Sequence, residues 1–101
     1  MSEPKPNQTT LNLIQTPEYR DSYANSVQVR MSVWDFHLVF GTMHPQSENT
    51  VNIQNFQGIY LSPQQAKALL HILGQNVAQY EQAFGAIALE PQFLQPAGPV
   101  H

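Results

Sequence analysis

Residues 59–73 read IYLSPQQAKALLHIL, and the hydrophobic rhythm changes at Ser62. Before it, Ile59 and Leu61 alternate with their neighbours as strand residues do. After it, apolar residues return every three or four positions, the period of a helix. The Ser62 hydroxyl can accept an orphaned backbone N–H at a helix start. Pro63 suits the first helical position because its missing N–H is not needed there, and Gln65 stands where a capping box places its second member. Leu61 and Ala66 flank the cap in the positions of a hydrophobic staple. The spacing predicts a helix from Pro63 to Phe84, ended by Gly85, whose tolerance of positive φ suits a C-cap. At ~1.5 Å per residue such a helix is about 33 Å long.

Along it, Ala66, Leu70, Leu73, Val77, Tyr80 and Phe84 form one stripe, widened by Leu69, with Gln64, Gln75, Gln79 and Gln82 on or near the other side. Gly74 costs this helix roughly 1 kcal/mol relative to Ala; it either admits a close neighbouring backbone or is simply tolerated.

Upstream, Val27, Val29, Met31 and Val33 share one face of a strand, and the apolar set then jumps to Trp34, Phe36, Leu38 and Phe40. A one-residue phase change flips faces, so SVWD (32–35) is expected to be a tight turn. DFHLVFG (35–41) is then a second strand, ended by Gly41 and a loop TMHPQSENT (42–50). A third strand starts at Thr50 with Val51 and Ile53 inward, and a bulge between Asn55 and Gly58 is expected to return Ile59 and Leu61 to the same core face. TLNLIQT (10–16) is a candidate fourth strand, followed by a short capped turn at Thr16, Pro17 and Glu18.

The expected fold class is α+β: an antiparallel sheet of three to four strands followed by one long C-terminal helix packed on it, and oligomerising. Residues 1–8 read as a disordered lead, 9–88 as a single α+β domain and 89–101, with three prolines, as a flexible tail. Phe93 and Leu94 lie in that tail.

Composition narrows the function. Charged residues make up 11% of the chain, and Gln and Asn together number 20, so amides keep the surface wet. The four basic residues are dispersed at 5, 20, 30 and 67 and the net charge is −3, which argues against nucleic-acid binding. Cysteine is absent, which leaves no disulfide framework and no thiolate chemistry. With no signal-like N-terminus and no long apolar run, the expectation is a cytoplasmic protein that does not enter the membrane.

Width predicts assembly. Three or four strands span roughly 15–20 Å, whereas one helix is about 10 Å across. Part of the apolar sheet face is therefore left for a second copy, and a homo-oligomer, most simply a dimer, is expected. The expected interface residues are Leu70, Leu73, Val77, Tyr80 and Phe84 on the helix, with Trp34, Phe36 and Phe56 on the sheet. Ser62, Pro63, Gln65 and Gly85 are assigned as structural caps.

Tyr23-Ala24-Asn25, Asp35-Phe36, Phe40-Gly41, the helix start Ser62-Pro63-Gln64 with Ala66-Lys67, and the helix end Tyr80-Glu81 with Phe84-Gly85 form a recognisable set. Over residues 23–87 the chain resembles the short prokaryotic proteins of the domain of unknown function 3467 family. That resemblance implies no particular activity, cofactor or site. Where family helices are rich in Lys and Glu, this one carries Gln.

No catalytic constellation is visible. His37, His44, His71 and His101 lack helical metal-ligand spacing and accompanying carboxylates, so no metal or other cofactor is expected. Asp35 is read as a turn residue bonding nearby backbone N–H groups, Ser62 as a cap, and Lys67 and Glu81 as solvated helix charges. The expectation is a non-enzymatic, homo-oligomeric protein-binding or assembly domain whose protein partner is unknown. One alternative is a holdase chaperone, because strands followed by a long helix resemble SecB in outline; a second is a small-molecule or metal-binding protein.

Overall fold

A computed structural model describes residues 9–89, so the expected lead at 1–8 and the tail from 90 onward, with Phe93, Leu94 and His101, lie outside the described residues. Three strands, β1 (Ser26–Met31), β2 (Phe36–Ser47) and β3 (Thr50–Leu61), form an antiparallel meander in the order β1-β2-β3, followed by α1 (Pro63–Phe84).

The phase jump is resolved as a turn. Val27 pairs with Phe40, Val29 with Leu38 and Met31 with Phe36, which brings odd positions of β1 and even positions of β2 to one face. Ser32 closes the turn. Its N–H donates to the Asp35 carbonyl at 2.9 Å, and its hydroxyl accepts the backbone N–H groups of Trp34 at 3.0 Å and Asp35 at 3.2 Å. The Asp35 carboxylate does not take a backbone N–H, as expected of it, but accepts the Ser32 hydroxyl at 3.1 Å. Ser32 is the first residue of the turn, and from that position its side-chain oxygen faces the N–H groups two and three residues on.

β2 does not stop at Gly41. The expected loop at 42–50 is largely strand: Thr42 to Pro45 and Ser47 pair back against β3, Gln46 is skipped at a second register shift, and Glu48 and Asn49 turn the corner. Pro45 is tolerated there for a positional reason. β1 begins opposite Gly41, so β2 beyond it has no neighbour on that side. The Met43 N–H points to that side, toward Asn25, and the Pro45 nitrogen two residues on shares the direction, so proline removes no ladder bond.

A bulge falls where it was expected, but its effect is the opposite. Phe40 pairs with Gln57 and Gly41 with Asn55, leaving Phe56 as the extra residue. One inserted residue inverts the parity of a strand. Ile59 and Leu61 therefore share the face of Phe36, Leu38 and Phe40, while Val51 and Ile53 fall with Met43 and Pro45 on the reverse face. Gly41 makes the bulge possible, since a Cβ there would stand 2.7 Å from the Gln54 carbonyl oxygen.

The segment before β1 supplies no fourth strand. Residues 9–25 carry no strand or helix, and Thr16 heads a single turn closed by Tyr19 N–H to its carbonyl at 3.0 Å. Leu11, Leu13 and Ile14 lie exposed along it.

The helix bounds match the capping signals. Ser62 accepts the Gln65 N–H at 3.1 Å, Pro63 opens the helix, and Gly85 ends it at φ 105, ψ 166. Among the described residues the Gln65 side chain makes no return bond, so only the outward half of the capping box forms. The helix is not packed across the sheet. None of its residues is buried, and those half-buried are Pro63, Ala66 and Leu69 in the first two turns and Glu81 near the end. Its contact with the sheet falls mainly on β3. Among the described residues no hydrophobic side chain is buried; Ser26 and Gly41 alone are.

Candidate functional site

A folded chain without an apolar interior carries its hydrophobic side chains on the outside, and here they are ordered rather than scattered. On one sheet face Val27, Val29 and Met31 of β1 stand beside Phe36, Leu38 and Phe40 of β2 and Ile59 of β3, with no charged residue among them. Central-strand neighbours half-bury the β2 trio, while Met31 remains 62% exposed. The helix carries the second apolar surface. The half-buried Ala66 and Leu69 begin its stripe, and Leu70, Leu73, Val77, Tyr80 and Phe84 continue it exposed to solvent. The Tyr80 and Phe84 rings meet at 4.9 Å. Gly74 has open space where a Cβ would stand, so no backbone of this chain approaches it closely.

Apart from Phe36, which is half-buried, the residues expected at an interface are exposed, and they lie in separate places. Trp34 is 82% exposed at the turn tip, Phe36 lies on the central strand, and Phe56 sits in the bulge. The five helical residues form their own surface. Sequence reasoning included Phe36 but not its companions Val27, Val29 and Met31, whose alternation was already visible.

The segment before β1 crosses the bulged end of this face. Glu18, Tyr19 and Arg20 meet Phe40, Phe56 and Ile59 around an open hollow of about 350 Å³. The Tyr19 hydroxyl donates to Asp21 at 2.7 Å, and this bond, with a smaller desolvation effect, raises the phenol above its ordinary pKa. The raised value is a consequence of local bonding on an exposed ring.

Two motif residues hold the frame rather than any ligand. The Asn25 N–H donates to the Gly41 carbonyl at 3.1 Å, and its side-chain oxygen accepts the Met43 N–H at 2.8 Å. Asn25 thus extends the ladder beyond β1 with a side chain acting as backbone. Glu81 is more than a solvated charge: its carboxylate accepts the Ile87 N–H at 2.9 Å and turns the chain back after Gly85.

The histidines are apart. His37 stacks on Tyr60 with centroids 4.1 Å apart on the reverse sheet face and lies over Gly58, filling the space its missing side chain leaves. His44 Nε2 is 2.9 Å from the Thr42 hydroxyl, and His71 is on the helix. No group of three His, Cys, Asp or Glu stands together among the described residues. No helix among them is long and apolar enough to cross a membrane.

A family model described as "Protein of unknown function (DUF3467)" matches residues 1–89. No curated protein and no solved structure matches the chain.

Proposed function

Because the chain belongs to the DUF3467 family, whose function is unknown, its role has to be argued from its own surface, and we propose a non-catalytic, homo-oligomeric assembly domain that works by binding protein. Its simplest form is a dimer in the cytoplasm, since a cysteine-free chain needs no oxidising compartment. One observation carries the reading: no apolar side chain among the described residues is buried. Ordering the backbone costs about 1–2 kcal/mol per residue, and apolar burial is the main force that offsets it. Over the described residues a lone subunit lacks that burial, and a second copy would supply it. Light scattering on the eluted protein tests this. The expected mass is two or more times 11.4 kDa at micromolar concentration, and a stable folded monomer overturns the reading.

The holdase reading has its own support. Met43, Pro45, Val51 and Ile53 are on the reverse face of the sheet, and Val33 and Trp34 at the turn tip are each more than four-fifths exposed. Neither patch is covered by a partner seated on the Phe36 face, and apolar patches of that kind suit unfolded clients. An aggregation-suppression assay at stoichiometric protein decides it, and absence of protection rules the chaperone out.

A further inference from the structure

We infer that the uncovered sheet face of one copy is roofed by helix α1 of a second copy, the two exchanging helices about a two-fold axis. The inference rests on the homo-oligomer reading above and specifies which surfaces meet.

The link between β3 and α1 carries the argument. Only Ser62 separates Leu61 from Pro63, and it is held at φ −64, ψ 156 with its hydroxyl on the Gln65 N–H. Connections between a strand and a helix that packs back on the same sheet usually need two to six residues. A one-residue hinge, stiffened by proline and a formed cap, sends the helix away from its own sheet. Short hinges of this kind favour exchange of an element between copies.

The stripe shows what the exchanged helix meets. The half-buried Ala66 and Leu69 start it in the first two turns of a helix whose contact with the sheet falls mainly on β3, and the exposed Leu73, Val77 and Phe84 continue the same helical side. The surface that suits such a stripe is more of the same kind of sheet. From Leu70 to Phe84 it runs about 21 Å at ~1.5 Å per residue, and the six paired positions of β1 and β2 span five rises, about 17 Å at ~3.3 Å per residue. The stripe is long enough to cover that run. Neither surface carries a charge, the helix charges Lys67 and Glu81 lying to the side of the stripe.

Area favours this arrangement over helix against helix. With large side chains taken at roughly 150–250 Å² each, the exposed fractions of both surfaces sum to roughly 1,000 Å² per copy, so exchange buries about 2,000 Å², the scale of an obligate homodimer. Pairing the helices alone leaves Val27, Val29 and Met31 open.

The chain has no cysteine, so introduced thiols are the only ones to react. The test is the double variant L38C/V77C treated with a short bismaleimide, beside each single variant. A covalent dimer from the double variant, and from neither single variant, is the expected result. A cross-link within one chain overturns the inference, as does a covalent dimer from V77C alone. Dimers by light scattering without any cross-link also overturn it, but leave the homo-oligomer reading standing; a monomeric wild type removes both. Should L38C/V77C fail to fold, V29C/Y80C tests the same two surfaces. As a second measurement, Gly-Asn-Gly inserted between Leu61 and Ser62 lets the helix reach its own sheet at an effective concentration near 1 mM, so the micromolar protein is expected to become a helical monomer. A dimer that survives the insertion unweakened counts against exchange.

Discussion

Replacing Leu73 by Ala separates a surface helix from an interfacial one. Leu73 is 53% exposed in the isolated chain. If that side stayed in water, the substitution would fall within about 0.5 kcal/mol of neutral, since Ala is the better helix former. If a second copy covers it, the exposed half of a leucine worth about 1.5–3 kcal/mol on full burial is still to be gained, about 0.8–1.6 kcal/mol per copy. Two copies lose it together, about 1.6–3.2 kcal/mol per dimer, which weakens association roughly 15- to 200-fold at 1.4 kcal/mol per tenfold. Any unfilled cavity adds to that. Sedimentation equilibrium over a concentration series measures the change. Gln75→Ala, on the opposite side of the helix, is the control and is expected to leave association unaltered. Equal dissociation constants for Leu73→Ala, Gln75→Ala and wild type would refute the assignment of this stripe to an interface.

Ser62→Ala removes the acceptor for the Gln65 N–H and is expected to cost about 1 kcal/mol, or roughly 4–8 °C in thermal midpoint at fixed protein concentration. Gly41→Ala is expected to be severely destabilising and Gly58→Ala mild in chemical denaturation, because the first meets the Gln54 backbone at 2.7 Å and the second the movable His37 ring at 2.8 Å. Asn25→Ala leaves the Met43 N–H without its acceptor, so hydrogen exchange at Met43 should accelerate while β1 amides stay protected. Glu81→Ala should do the same to the Ile87 amide without shortening the helix by circular dichroism.

How far the fold was legible varied with the range of the interactions involved. The helix ends were legible because Ser62, Pro63 and Gly85 act on groups within four residues of themselves. The Ser32–Asp35 turn was legible because parity is local arithmetic. β2 beyond Gly41 was not, since Thr42–Ser47 carries loop-forming residues and becomes strand only through pairing with Thr50–Gln54 and an edge position that spares Pro45. The helix placement was missed for a related reason. Its stripe announces that something apolar must cover it, but periodicity carries no label for whose sheet that is. Among the expected interface residues, the helical five and Phe36 lie on continuous apolar surfaces, whereas Trp34 is isolated at a tip. The jobs of Asn25 and Glu81 depend on Met43 and Ile87, eighteen and six residues away, and a single sequence offers no signal for such pairings.

The extra residue at Phe56 has a bearing on how this hairpin can change over time. Phe56 is skipped in the pairing; were it instead paired opposite Gly41, Ile53 and Val51 would rotate onto the side of Ile59, while Asn52 and Gln54 turned to the other. Spelling along the ribbon is loose, because most of its side chains meet water, but a change of letter number inside a paired run flips everything between it and the corner. Related chains are therefore expected to exchange residues freely in this stretch and to gain or lose them only at the Glu48–Asn49 corner or at the skipped Phe56 and Gln46, whose deletion leaves every facing as it is.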